Sequence, residues 1–489
     1  MPRALRSIAL VALFLAAPGQ AGDPAISLMH GFIDQSSMTL WAQTARASRV
    51  AVDLRVDGTT AKPRRIEGAT RAEDDFVVQL RLAGLEPGTR YRYQVLVDGK
   101  PAAEAGAFAT QPLWEFRSDP PEFAVALGSC AYLNDQFSRP GRPWGGEYEI
   151  FDAIAAKAPS LMLWLGDNVY FREPEWTSLE GMSGRYRAYR ALPALKRLLR
   201  AAAHVAIWDD HDFGPNDADG SFTMKAAALA AFKRYWANPS YGLPGVPGIF
   251  GAVAWGDVEF FLLDNRFHRY PNRYPPTPDK AMFGREQLEW LKQALVASRA
   301  PFKVIVSGGQ LWNPRNQYES FFSYPAEQRA LAEWLVERRI EGVLFLSGDR
   351  HFSELLRHER PGTYPLFELT SSPLTAGPFR DAPADERENP ELVPGTFVTE
   401  RSFAMLRFAG PRRERTVTLE AYASDGRLLW QQRIAAAELS ERPAALRSAG
   451  CPPEPSGKGL RAGSFAPRAP SRPRGGNLGC ARCRRGASR

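Results

Sequence analysis

Two kinds of hydrophobic pattern divide the chain. From about Ile26 to Ala109, apolar and polar residues alternate at period two, with turn residues between the runs. Examples are Met38-Thr39-Leu40-Trp41-Ala42, Val50-Ala51-Val52-Asp53-Leu54-Arg55-Val56 and Tyr91-Arg92-Tyr93-Gln94-Val95-Leu96-Val97. Alternation of this kind predicts strands buried on one face, and the length suits a small all-β sandwich. Pro112 to Pro121 reads as a linker. From Glu122 to about Arg433 the pattern changes, and short continuous apolar runs alternate with stretches of helical period. The predicted helices are Tyr148–Lys157, Arg185–Arg200, Met224–Tyr235, Arg285–Ser298 and Pro325–Arg339. Strands and helices in alternation predict a layered α/β core. Phe250–Trp255 and Val258–Asp264 flank Gly256-Asp257, a hairpin signal. Beyond Arg433 the periodicity fades, and residues 437–489, rich in Pro, Gly, Ser, Ala and Arg, read as a disordered basic tail.

Four of the apolar runs end alike. Phe123-Ala124-Val125-Ala126-Leu127 runs into Gly128-Ser129-Cys130, and Leu161-Met162-Leu163-Trp164-Leu165 into Gly166-Asp167-Asn168-Val169-Tyr170. His204-Val205-Ala206-Ile207 runs into Trp208-Asp209-Asp210-His211-Asp212, and Val343-Leu344-Phe345-Leu346 into Ser347-Gly348-Asp349-Arg350-His351. Buried strands that each deliver a metal-binding group predict one site at the carboxyl edge of a sheet. A lone cysteine would ordinarily read as a small buried hydrophobe. For Cys130 the repeated strand-end context favours a ligand.

Charge narrows the function by its location. The formal charge is +8, but residues 441–489 hold eleven Lys/Arg against two acids, which makes that segment +9 and the rest of the chain −1. The packed part is not basic, so nucleic-acid binding is not expected. Arg3 and Arg6 precede the apolar stretch Ile8 to Ala17 and then Gly19-Gln20-Ala21, the pattern of a Sec-type signal peptide (residues 1–21) cleaved near Ala21. Export to a periplasmic or extracellular location follows, and no later segment has the length of a transmembrane span. Three of the four cysteines, Cys451, Cys480 and Cys483, lie in the tail, which excludes a disulfide scaffold. Cys480 and Cys483 have the spacing of a zinc knuckle without a second pair.

Taken in order, Gly128-Ser129-Cys130, Gly166-Asp167-Asn168-Val169-Tyr170, Trp208-Asp209-Asp210-His211-Asp212 and Ser347-Gly348-Asp349-Arg350-His351 resemble the alkaline phosphatase D (PhoD-like) family of metallophosphoesterases. The resemblance covers roughly Ile26 to Arg433. It implies a four-layer metallophosphoesterase sandwich over residues 122–436, preceded by a small all-β fibronectin III/Ig-like domain over residues 24–112. Leu82 to Tyr91 is similar to the tyrosine corner of fibronectin type III domains. By the same resemblance the activity is hydrolysis of phosphate mono- or diesters with two metals. Cys130, Tyr170, His351 and a bridging Asp167 would hold ferric iron. Asp210, Asp349 and Gln310 would join Asp167 around one or more calcium ions, since all-oxygen donors suit a hard cation. Zinc or manganese is the alternative pairing. His211 would act toward the leaving-group oxygen, and Asp209 and Asp212 would orient the ligands. Leu263-Asp264-Asn265-Arg266 is similar to the family's LDTR segment, with Asn265 in place of threonine. Arg266 is then a phosphate clamp or a structural ion pair, the second being favoured, while Arg350 either reaches substrate or faces away. His30, His204, His268 and His358 have no partner pattern and read as structural.

The N-terminus departs from the family. Members are often exported folded through a twin-arginine signal, whereas Arg3 and Arg6 are not adjacent, so metals would be loaded after export. Two other functions are compatible with the sequence. One is a phosphodiesterase or phospholipase D-like activity on lipid or polymer phosphodiesters. The other is a non-catalytic exported binding protein with a structural metal, for which His211 would have no use.

Overall fold

The alternating segment folds as two antiparallel sheets. In the computed structural model, which describes residues 26–135, 144–316, 318–380 and 384–441, it forms β1 (Ile26–Ile33), β2 (Ser37–Thr44), β3 (Ser48–Val56), β4 (Arg64–Thr70), β5 (Val77–Ala83), β6 (Arg90–Val97) and β7 (Lys100–Ala109). The sheets have orders β1-β2-β5 and β4-β3-β6-β7. Tyr91 Oη accepts the Glu86 N–H at 2.8 Å, the bond that a tyrosine corner makes. The expected signal peptide, and the tail with its three cysteines, lie outside the described residues.

The next segment builds two mixed six-stranded sheets. The first contains β8 (Phe123–Gly128), β9 (Leu161–Leu165), β10 (Ala203–Ile207), β17 (Ser402–Ala409), β18 (Thr416–Ala423) and β19 (Leu428–Ala435), in the order β10-β9-β8-β17-β18-β19. The second contains β11 (Gly251–Trp255), β12 (Val258–Leu262), β13 (Phe302–Val306), β14 (Val343–Ser347), β15 (Glu354–His358) and β16 (Leu366–Thr370), in the order β11-β12-β13-β14-β16-β15. Strands β8 to β10 are parallel, as are β12, β13, β14 and β16. Both sheets therefore present carboxyl ends along one edge. Their faces meet through aromatic contacts, with Phe408 of β17 5.5 Å from Phe302 and 6.4 Å from Phe260, ring centroid to centroid.

Helices flank the sheets. α1 (Glu149–Ala156) and α3 (Pro193–Ala201) pack on each other beside the first sheet, and α4 (Lys225–Tyr235) on α2 (Leu179–Arg190). The crossovers from β12 to β13 and from β13 to β14 run through α5 (Arg285–Ala297) and α6 (Pro325–Glu337). Each crossover helix buries a leucine stripe, Leu288, Leu291 and Leu295 in α5 and Leu331 and Leu335 in α6.

Two expectations need correction. The helix expected over Arg185–Arg200 is two, because Leu192 is extended (ψ 122°) ahead of Pro193, which opens α3. The packed chain also runs past the expected tail boundary at 437, since Leu439 is buried and its carbonyl accepts the Gly342 N–H at 2.8 Å.

The β-domain docks tightly against the first sheet's flank. Trp41 Nε1 donates to the Arg234 carbonyl at 2.8 Å, and a Cβ on Gly31 would lie 2.7 Å from that of Ala237. Arg415, 1% exposed, ties the two core sheets together. It donates to Asp257 in the β11–β12 turn at 2.8 Å, to the Gly410 carbonyl at 2.9 Å and to the Pro121 carbonyl at 2.6 Å. Arg415→Ala would strand the buried Asp257 carboxylate and is expected to cost ~3 kcal/mol in urea unfolding. The double variant R415L/D257L should cost less, and a loss below about 1 kcal/mol for Arg415→Ala would refute this role.

Candidate metal centre

The four strand ends meet where the sheet edges meet. The Leu374 N–H after β16 donates to the Ser129 carbonyl after β8 at 2.8 Å, and the Gly348 N–H to the Gly308 carbonyl at 2.7 Å. Close approach needs missing side chains. A Cβ on Gly308 would lie 2.6 Å from Asp209 Cγ, and one on Gly166 (φ +97°) 2.7 Å from Asp209 Cβ. Cys130, Asp167, Asp349 and His351 all have φ between 52° and 69°. Left-handed backbone costs on the order of 1 kcal/mol or more for such residues, and surrounding structure must enforce it.

One group gathers Cys130, Asp167 and His351, whose ligand atoms lie within 4.8 Å of one another. Cys130 Sγ is 3.6 Å from Asp167 Oδ2 and receives hydroxyl hydrogen bonds from Ser372 at 3.2 Å and Ser129 at 3.4 Å. Tyr170 Oη donates to Asp167 Oδ2 at 3.1 Å and lies 3.4 Å from His351 Nε2. His351 Nδ1 is 2.6 Å from the Gly377 carbonyl, which can only accept. The ring proton is thereby assigned to Nδ1, leaving the Nε2 lone pair facing the group, as a metal-binding imidazole requires.

A second group, Asp167, Asp210 and His211, shares Asp167 with the first, and a third joins Asp209, Asp210 and Asp349. The His211 N–H donates to Asp167 Oδ1 at 3.2 Å, so that carboxylate faces both ways. Asp210 Oδ2 accepts the Asp217 N–H at 2.8 Å, while its Oδ1 is buried without a hydrogen-bond partner. Asp209 Oδ1 accepts from Asn265 Nδ2 at 2.8 Å and Arg266 Nε at 2.5 Å, and its Oδ2 is likewise orphaned. Asp209, expected only to orient ligands, thus offers a free oxygen of its own. Asp212 has none to offer, because its oxygens accept from the Asp209 N–H and from both nitrogens of Asn168. His211 stands at the solvent side, its ring 4.3 Å from that of Tyr170.

Three expected residues lie elsewhere or are committed. Gln310 Oε1 accepts from Asn313 at 3.0 Å and Asn316 at 3.2 Å, and its Nε2 donates to Glu354 and Thr370, so it has no free donor for a metal. Arg266 is fully buried in a bidentate pair with Glu319, 2.9 Å on each arm, besides its bond to Asp209. The guanidinium is thereby committed to two buried carboxylates. Arg350 is paired with Glu386 at 2.8 Å. The four remaining histidines also have structural partners; His204, for example, accepts from Trp164 Nε1 at 3.0 Å.

Sequence reasoning missed Ser372, Glu319, Asp217, Tyr132 and Trp144. Ser372 follows β16 at a fifth strand end, where Thr370-Ser371-Ser372-Pro373 contains no strong ligand to mark it. Asp217 stands in the short polar run Asp217-Ala218-Asp219-Gly220, which suits a turn, yet it joins Asp210 and Glu319 in a further acidic group.

The electrostatics follow from crowding. Burial, then the charges of Asp210 and Cys130, push Asp167 well above the usual carboxylate range. Burial pushes Asp209, Asp212 and Asp349 up to about 7. For Asp210 burial acts against ionisation, but His211 and Arg266 beside it hold its carboxyl below the usual range. Burial takes the Cys130 thiol up to about 12 and the Tyr170 phenol well above its ordinary value. Orphaned carboxylate oxygens, a thiol braced by two hydroxyls and a correctly oriented imidazole fit bound cations. In metal-free protein, Asp167→Asn should therefore raise Tm by ~2 °C through relief of repulsion. Added metal should reverse the order of the two proteins in a thermal scan. Lower stability of the variant under both conditions would instead mark the cluster as a hydrogen-bonded structural net.

The two domains have known counterparts. The profile described as "PhoD-like phosphatase" matches residues 123–410, and that of the "PhoD-like phosphatase, N-terminal domain" matches residues 20–112. The chain is 23% identical over 351 residues to a protein named alkaline phosphatase D from Bacillus subtilis (strain 168). That alignment covers 62% of this chain and only 57% of the relative, so it spans little more than half of that protein. A solved structure of PhoD superposes with a TM-score of 0.69 at 20% identity, covering 86% of this chain and 93% of that one. A purple acid phosphatase from yellow lupin (Lupinus luteus) seeds gives 0.57 at 12% identity, covering 84% and 74% respectively, and both likenesses establish the fold. The chain belongs to the PhoD-like phosphatase family.

Proposed function

We propose that the protein is an exported, metal-dependent phosphoric ester hydrolase acting on small phosphate mono- and diesters. The observation that carries this reading is Asp167, one carboxylate common to two adjoining groups of ligand atoms. Cys130, Tyr170 and His351 would complete the first position around ferric iron, since thiolate, phenolate and imidazole suit that ion. Asp210 and Asp349, with Asp209 in place of Gln310, would surround calcium on the other side of Asp167. When bound, such a pair supplies an activated nucleophile and positive charge opposite the phosphoryl oxygens.

The chain's own residues do the remaining work. Asp212 and Asn168 brace the loop that carries Asp209 and Asp210. Arg266 anchors one oxygen of Asp209 and leaves the other free. His211, whose partly exposed imidazole lies 4.0 Å from Asp210, would deliver a proton to the leaving oxygen; burial lowers its pKa and the Asp210 carboxylate opposes that shift. Export rests on the residue 1–21 pattern, with cleavage near Ala21, and the domain limits proposed are 24–112 and 122 to about 441.

Elemental analysis of mature protein is expected to find iron and calcium. Cys130→Ala and Tyr170→Phe should each lose iron, the second together with any tyrosinate absorption in the visible. Zinc or manganese in all three proteins would remove Cys130 from the ligand set. His211→Ala should lower kcat by ~100-fold for alkyl phosphates, whose leaving oxygen needs a proton, and much less for p-nitrophenyl phosphate. Equal losses on the two substrates would remove His211 from that role.

A further inference from the structure

The phosphoesterase reading leaves open which alcohol the phosphate carries, and a wall of the site that no ligand role explains bears on that question. We propose that the site prefers esters whose leaving group is a planar aromatic ring, stacked on Trp144. This rests on the phosphoesterase reading of the same site. The Trp144 indole lies 4.8 Å from the His351 ring at an interplanar angle of 36°, and its edge meets Tyr170 at 5.8 Å. The Tyr132 ring meets it nearly at right angles, 4.7 Å away and tilted by 78°. It therefore sits directly on two residues of the ligand set, yet 43% of it is open to water. A large apolar surface left wet at the rim of a catalytic site marks a place for a ligand.

The position is built into the fold. A Cβ on Gly377 would lie 2.6 Å from Trp144 Nε1, so only glycine leaves room for the indole there. The same Gly377 carbonyl accepts from His351 Nδ1, and one residue thus seats both rings. Arg401 clamps the backbone, donating to the Trp144 carbonyl at 3.2 Å while its Nε bonds the Thr375 and Ala376 carbonyls. Two further exposed aromatic residues adjoin His351 and Arg350. Phe379 is 40% exposed, and its N–H donates to the His351 carbonyl at 2.8 Å; Tyr318 is 62% exposed, with the Arg350 guanidinium 5.5 Å from its ring. Stacking on an exposed indole favours any flat π-face and gives little to a flexible alkyl chain.

The test compares phenyl phosphate with glycerol phosphate, on metal-loaded wild-type protein and Trp144→Ala. The variant's loss in kcat/KM should be at least ~10-fold larger for phenyl phosphate than for glycerol phosphate, and carried by KM. Calorimetric titration with phenylphosphonate and methylphosphonate, which are not turned over, should give a preference for the phenyl compound that Trp144→Ala removes and Trp144→Phe largely keeps. Equal losses on both esters, with the phosphonate preference unchanged, would overturn the proposal and leave Trp144 as a prop for His351. If wild-type protein hydrolyses neither ester, the phosphoesterase reading falls, and the phosphonate titration still decides the aromatic one.

Discussion

Repulsion among buried carboxylates at one sheet edge is the constraint on which the rest of this molecule depends. Asp167, Asp209, Asp210, Asp212 and Asp349 are all at most partly wetted, and Cys130 lies among them. Among the described residues Arg266 is the one guanidinium that pairs directly with this group, and it is shared with Glu319. Ionised carboxylates cannot stay buried together without positive charge, so either protons or cations must complete the cluster. Partial protonation is what the raised Asp167, Asp209, Asp212 and Asp349 describe for the metal-free chain. The arrangement is therefore poor as a structural core and well suited to gripping cations.

The scaffold holds this unfavourable cluster by over-determining it. Left-handed backbone at Cys130, Asp167, Asp349 and His351 shapes the turns that carry these side chains into the cluster, and three parallel β-ladders fix where those turns begin. Hydrogen bonds then occupy every oxygen that is not needed. Asp212 is saturated, Asp209 and Asp210 keep one oxygen each, and Ser129 and Ser372 brace the Cys130 sulfur. Pre-organisation of this kind moves the cost of ordering ligands from binding into folding. The docked β-domain and the Arg415 tie add stability at a distance from the edge where it is given up.

The arginines show how an ambiguous residue type is settled by its neighbours. Arg266 and Arg350 have the chemistry to clamp phosphate, but Glu319 and Glu386 are buried beside them and claim both. Neither acid is close in sequence to its partner, so the pairing could not be read from spacing. The rim is instead aromatic, and Trp144 reaches it from a segment with no periodic pattern.

The chain by itself determined much of this protein. Period-two alternation marked the N-terminal strands, and apolar runs ending in Cys130, Asp167, Asp210 and Asp349 marked the core strands and most of the site. Burial forces those runs to be apolar, and ligand chemistry forces the residue types after them, so both are written locally. Even the break at Pro193 was legible in principle, since proline cannot continue a helix from the residue before it. What only the tertiary structure decided is every question of partnership. Whether Gln310 has a free lone pair, whether Arg266 faces substrate and whether Asp209 keeps an open oxygen all depend on groups some 3 to 60 residues away along the chain. So does the meeting of Ser372 with Cys130, 242 residues apart. A hydrogen bond is satisfied in space and saturates with few partners, so no reading along the chain can tell which donor arrives first.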